Sequence, residues 1–134
     1  MKKLFLVVAV FYSILIFAQK KPQIANKSFK IIQKECTLKK GIQLRLKRVF
    51  DDSRCPENVQ CIWAGEVSVA LIVYKNKKVI EEKTMTLNFK NFEENKKWFS
   101  EIYKMNVKGF EVLPTLKDGV LLNPKDYYME IILI

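Results

Sequence analysis

The stretch DDSRCPENVQCIWAGE, residues 51–66, holds most of what could do chemistry in this chain. Cys55 and Cys61 stand six positions apart, with Pro56, Trp63 and Gly65 around them. In an oxidising compartment two cysteines at this distance form a disulfide. By the chain-entropy relation, closing the ring 55–61 is worth roughly 2.3 kcal/mol. The rival chemistries lack parts. Zinc takes three or four ligands from Cys, His and carboxylate. The chain has no His, which leaves Cys36, Cys55 and Cys61 with Asp51 or Asp52, and exported thiols oxidise instead. Asp51, Asp52, Glu57 and Asn58 put hard oxygens on one loop, a calcium candidate without the alternating spacing of a calcium loop. Redox catalysis wants C-x-x-C at a helix N-terminus, which this spacing between strands does not offer. A triad built on His is excluded by composition. The carboxylate pairs Asp51/Asp52, Glu81/Glu82 and Glu93/Glu94 are neighbours in sequence, and neighbours on a strand point to opposite faces. The expectation is a protein without catalytic activity and without a cofactor.

The loop residues have structural work to do. Pro56 fixes φ just inside the ring. Asp51, Asp52 and Ser53 can accept backbone N–H groups and start a turn. Arg54 pairs with Asp51 or Asp52, Trp63 is an apolar anchor that folds the loop back onto the sheet, and Gly65 lets the chain pass close to another backbone. Loops this long between strands are functional when something pins them. The candidate recognition residues are therefore Asp52, Arg54, Pro56, Asn58, Trp63 and Gly65. The run Asp52-Ser53-Arg54-Cys55-Pro56, with Val59, Cys61 and Trp63-Ala64-Gly65, resembles the signature D-S-R-C-P-x-x-V-x-C-x-W-A-G of a family of small secreted or lipid-anchored bacterial proteins. Asp126-Tyr127-Tyr128 matches the D-Y-Y element that often precedes the last strand in that family. The resemblance covers roughly residues 36–134. It implies a compartment and a strand-rich architecture, and it carries no activity. Cys36 and the long segment 91–104 depart from the family pattern.

These residues need a scaffold, and its periodicity is that of strands. Residues 28–35 form a first strand. In 42–47, Ile42, Leu44 and Leu46 share one face and Gln43, Arg45 and Lys47 the other, the pattern of an antiparallel strand packed on one side. A parity change near Arg48 marks a bulge before Val49 and Phe50. Residues 66–89 read as a hairpin turning at KNKK, with Asn76 suited to positive φ. Residues 91–104 carry Phe92, Phe99, Ile102 and Tyr103 near helical spacing, with Asn91 as cap. Residues 105–113 return to strand, with a bulge at Gly109 and an end at Pro114. Residues 126–134 make a last strand, apolar on both faces and so central. The fold class is mainly β: a small antiparallel β-sandwich or open barrel of about six to seven strands, with at most one short helix around 91–104.

The ends and the charge address location and partners. Lys2 and Lys3, the apolar run 4–17 and Ala18 describe a signal peptide, residues 1–18. A flexible segment 19–27 follows, and 28–134 make one β domain. The protein is thus expected to be exported, to the periplasm or outside the cell, with no transmembrane segment once the leader is cut. The formal net charge is +10, of which the leader's two lysines supply two. Residues 19–54 hold eleven Lys/Arg against Glu35, Asp51 and Asp52, whereas 55–134 hold eleven of each sign. The excess is therefore all in the first third, where Lys39, Lys40, Arg45, Lys47 and Arg48 are candidate anion-binding residues. Lysines that blunt a sheet edge explain the same pattern. Cys36 reads as a buried thiol or as an intermolecular disulfide. Trp98, beside Lys96 and Lys97, reads as a surface aromatic.

Three functions are compatible with these residues. The first is a non-enzymatic binding domain using the pinned loop 51–65 on a protein or another envelope component. The second is a peripheral envelope protein on anionic surfaces, without specific nucleic-acid recognition. The third is a protease inhibitor presenting Arg54 or the ring.

Overall fold

A computed structural model describes residues 27–34 and 41–134. The expected signal peptide 1–18, nearly all of the segment 19–27, Cys36, Lys39 and Lys40 lie outside the described residues. The strands are β1 (Ser28–Ile31), β2 (Ile42–Phe50), β3 (Val67–Lys75), β4 (Lys78–Leu87), β5 (Val107–Leu113) and β6 (Tyr128–Leu133). One helix, α1 (Phe92–Tyr103), joins β4 to β5, and a 3-10 turn at Pro124–Asp126 leads into β6. Two antiparallel three-stranded sheets result, ordered β1-β6-β5 and β2-β3-β4. The chain is mainly β, a small sandwich with the character of an open barrel, as the strand periodicity predicts. Among the described residues no helix is long and apolar enough to cross a membrane.

Each sheet turns its apolar face inward. Leu44 and Leu46 on β2, Val69, Leu71 and Val73 on β3, and Met129 and Ile131 on β6 are all fully or almost fully buried. β3 and β6 are the central strands, which is why both read as apolar runs. The β2–β3 register shifts between Leu46 and Arg48, and the β5–β6 register between Val107 and Gly109. Both are the bulges expected from the parity changes. Asn76 and Lys77 take positive φ in the β3–β4 turn.

The two sides of the sandwich close differently. On one side Leu46 N–H donates to the Ile32 carbonyl at 3.0 Å, stitching β2 to the end of β1. On the other side α1 spans the edges of β4 and β5. Phe99 is wholly buried and its ring lies 5.2 Å from that of Phe110 on β5. Asn95 donates to the Thr86 carbonyl of β4 at 2.9 Å. Trp98 corrects an expectation here. It is half-buried, its indole N–H donates to Glu81 at 3.2 Å, and its ring packs edge-on against Phe99. The lysines beside it suggested a surface, but the helical period turns position 98 toward β4. Asn91 occupies the N-cap position and makes no side-chain cap. The Asn88 side chain instead accepts the Asn91 N–H at 2.8 Å, with Glu93 and Glu94 in the first turn favouring the helix dipole. Lys27, placed by the sequence in the flexible segment, accepts Leu133 N–H at 2.8 Å.

Candidate functional site

The crossover from β2 to β3 is built as a hairpin prolonged beyond the sheet. Ser53 N–H donates to Glu66 O at 2.8 Å and Cys55 N–H to Ala64 O at 3.0 Å. The Ser53 hydroxyl also bridges Glu66, accepting its N–H and donating to its carbonyl, both at 3.2 Å. Two strands of the loop can run this close only because residue 65 is glycine. Gly65 has φ +74°, and a Cβ there would stand 1.9 Å from the Ser53 carbonyl oxygen. Beyond these rungs the Cys55–Cys61 disulfide closes the tip, with Cα atoms 5.9 Å apart. A turn bonds Val59 N–H to Pro56 O at 3.2 Å. The ring is also tied sideways to the segment following β5, through Glu57 N–H to Leu116 O and Asp118 N–H to Asn58 Oδ1, both 2.9 Å.

The base of the loop is held by a charged network. Arg54 donates from Nε and Nη2 to the two Asp52 oxygens, each at 2.7 Å. The same guanidinium reaches across to the end of β5, donating from Nη2 to Pro114 O at 3.1 Å and from Nη1 to Val112 O. Tyr127, just before β6, donates its hydroxyl to Asp52 Oδ2 at 3.0 Å. The side chains of Asp52 and Arg54 are only 10% and 19% exposed, so solvent does little to weaken the pair. Burial pushes the Asp52 carboxyl up, but the hydrogen bonds and charge of Arg54, helped by Tyr127, outweigh it and hold the group below its ordinary 3.8. Burial, and then the hydrogen bond and charge of Asp52, push the Tyr127 hydroxyl above its ordinary 10.0.

A pH dependence follows from these two directions. The depressed Asp52 contributes stability above its unfolded pKa, and that contribution is lost as pH falls through the folded value. The raised Tyr127 contributes stability below about 10, lost as pH rises through its folded value. Unfolding in urea is therefore expected to show a plateau bounded by acid loss below about pH 4. Asp52→Asn should be less stable than wild type on the plateau and flatter across the acid limb. Parallel acid limbs in the two proteins would remove Asp52 from the account.

The tip is where apolar surface meets solvent. Ile62 and Trp63 are 106% and 69% exposed, and Phe89, after β4, is 86% exposed. Trp63 is thus not the anchor that the sequence suggested. Arg54 does the anchoring, because its planar fork can bond several carbonyl and carboxylate oxygens at once. Trp63 and Phe89 share a shallow pocket of ≈ 210 Å³ also lined by Asn88 and Glu66, which are hydrogen-bonded at 2.7 Å. Phe89 also borders a groove of ≈ 470 Å³ between β5 and the ends of β3 and β4, lined by Val67, Leu87, Phe92, Phe110 and Val112.

Of the recognition candidates, Asp52, Arg54 and Gly65 face inward as structural parts, Pro56 is half-buried, and Asn58 and Trp63 lie at the surface. The calcium candidates do not converge. Asp52 is engaged by Arg54 and Tyr127, Asn58 Oδ1 by Asp118 N–H, and no described group of three His, Cys, Asp or Glu is placed to hold a metal ion. Arg45, Lys47 and Arg48 each have neighbours of their own. Arg45 lies over the Tyr74 ring at 5.4 Å, Arg48 over Phe50 at 4.7 Å, and Lys47 pairs with Glu82 at 2.6 Å. Sequence reasoning missed Phe89 and the Tyr127–Asp52 contact. The second has a signal in the sequence, because the D-Y-Y element and the cysteine motif belong to the same resembled pattern and Tyr127 and Asp52 lie in its two parts. Compared with family models, curated proteins and solved structures, the chain matches none.

Proposed function

We propose that the protein is an exported, non-enzymatic binding domain whose recognition element is the tip of loop 51–65. The observation that carries this reading is the contrast within one loop. Its base is fixed by backbone rungs, a disulfide and the Arg54 network, while Ile62 and Trp63 at its tip touch little of their own protein. A pinned loop loses little entropy on docking, and an exposed Trp on it offers large contact area. The disulfide suits an oxidising compartment and so supports export. The second reading, attraction of anionic surfaces by the basic third, has less support because Arg45, Lys47 and Arg48 stack on or pair with their neighbours. Inhibition of a protease through Arg54 has less still, since that side chain is turned into the fold.

Immobilised wild type and Trp63→Ala, exposed to detergent-solubilised envelope of the producing cell, test the reading. The expected result is a component retained by wild type and reduced at least about tenfold by the variant, as for a contact hot spot. Retention should hold between about 0.05 and 0.5 M salt, because the contact is apolar. An identical retained set in both proteins would move the site away from this loop.

A further inference from the structure

The exposed apolar residues are not scattered. Among the described residues, Val59, Ile62, Trp63, Phe89, Val120 and Leu121 account for six of the nine large hydrophobics left in solvent. They come from three separate loops, and the topology puts all three at one end of the sandwich. Loop 51–66 leaves β2 and enters β3 there. Val67 pairs with Leu87, so the chain exits β4 toward Phe89 at the same end. Leu113 pairs with Tyr128, which places the β5–β6 connection there too, and its bonds to Glu57 and Asn58 tie it against loop 51–66. The Asn76–Lys77 turn marks the opposite end.

Shape and charge select the occupant. Ile62 and Leu121 are 106% and 100% exposed and project as tips, and Phe89, 86% exposed, rises between the two shallow pockets it borders. A folded partner would need matching pockets for tips on three loops. The boundary between headgroups and acyl chains of a bilayer is fluid and accepts any convex apolar set. Trp at such a boundary keeps its ring in the apolar layer and its N–H among the headgroups. The loops 51–66, 88–91 and 114–127 hold Arg54, Lys90, Lys117 and Lys125 against six Asp and Glu. This end therefore carries none of the chain's positive excess, which points away from an anionic polymer and toward a neutral surface.

We propose that this end docks onto a zwitterionic phospholipid bilayer, inserting Ile62, Trp63, Phe89 and Leu121 into the headgroup–acyl boundary. The proposal rests on the loop-tip reading above and names its partner. The test is co-sedimentation of the purified protein, its cut N-terminus verified by mass spectrometry, with phosphatidylcholine vesicles. Binding is expected, with little change between about 0.05 and 0.5 M salt. Ile62→Ser/Leu121→Ser should lower the partition coefficient about tenfold or more, because both side chains leave the apolar layer. Its melting curve should match wild type, since neither residue packs on the fold. Tryptophan emission should shift to the blue on binding in wild type and stay fixed in Trp63→Phe, where only the half-buried Trp98 reports. Absence of vesicle binding, or binding that salt abolishes and the double variant retains, would overturn the proposal. If Trp63→Ala loses a detergent-solubilised envelope component while wild type ignores vesicles, the lipid assignment falls and the loop-tip reading stands. If the variant loses nothing and wild type ignores vesicles, both fall.

Discussion

Arg54→Ala is expected to lose about 3 kcal/mol of unfolding free energy, the largest effect of any charged residue described here. The loss has several sources. Asp52 keeps a mostly buried carboxylate with only Tyr127 and the Arg54 backbone N–H donating to it, and the carbonyls of Val112 and Pro114 lose a donor. An uncompensated charge in a poorly solvated site is costlier than the net worth of the pair. Arg54→Lys should recover little, because one ammonium cannot reproduce the paired bonds to Asp52 and the two reaching β5. Tyr127→Phe removes a single hydrogen bond and should cost about 1 kcal/mol. Urea unfolding of the series checks the ranking. In a double-mutant cycle, Asp52→Ala should recover part of the Arg54→Ala loss, since removing both charges is milder than stranding one. Additive losses would mean that the two side chains act separately.

Gly65→Ala should be comparably damaging, about 3 kcal/mol or more, for a backbone reason. Its Cβ would stand 1.9 Å from the Ser53 carbonyl oxygen and within 2.9 Å of two further backbone atoms, none of which can rotate away as a side chain could. Relief requires separating the two sides of the loop, which breaks the Ser53–Glu66 and Cys55–Ala64 bonds. Gly119 is the control. It has a similar φ of +73° and nothing within 4 Å of the added atom, so Gly119→Ala bears only the left-handed backbone cost of about 1 kcal/mol. Equal losses at the two positions would show that conformation alone, and not the close approach, governs Gly65.

Much of the scaffold was legible because it rests on local pattern. Period-two alternation locates the strands, the parity changes at Arg48 and Gly109 locate two of the three described register shifts but not the one opposite Ile80 on β4, and the apolar run within 126–134 identifies a central strand. Gly65 was also readable, as a residue needed where two backbones approach. The site itself was harder, because its partners are distant in sequence. Arg54 bonds carbonyls at 112 and 114, and Asp52 meets a hydroxyl at 127. Composition cannot show which of a large apolar residue and a long cation turns inward, so it points to Trp63 as the anchor where the fold uses Arg54. The same blindness placed Trp98 at the surface by its lysine neighbours, when one helical turn aims it at β4. Phe89 has no local signal in the sequence, because its exposure depends on where β4 ends relative to the cysteine loop.

The central claim is that loop 51–65 is rigid in solution and holds Ile62 and Trp63 outward. Backbone amide relaxation of residues 57–63 in the oxidised protein tests it most directly. The account predicts order parameters near about 0.85, like those of the adjoining strands. Values below about 0.6 through the ring, with Arg54 and Asp52 still ordered, would contradict it.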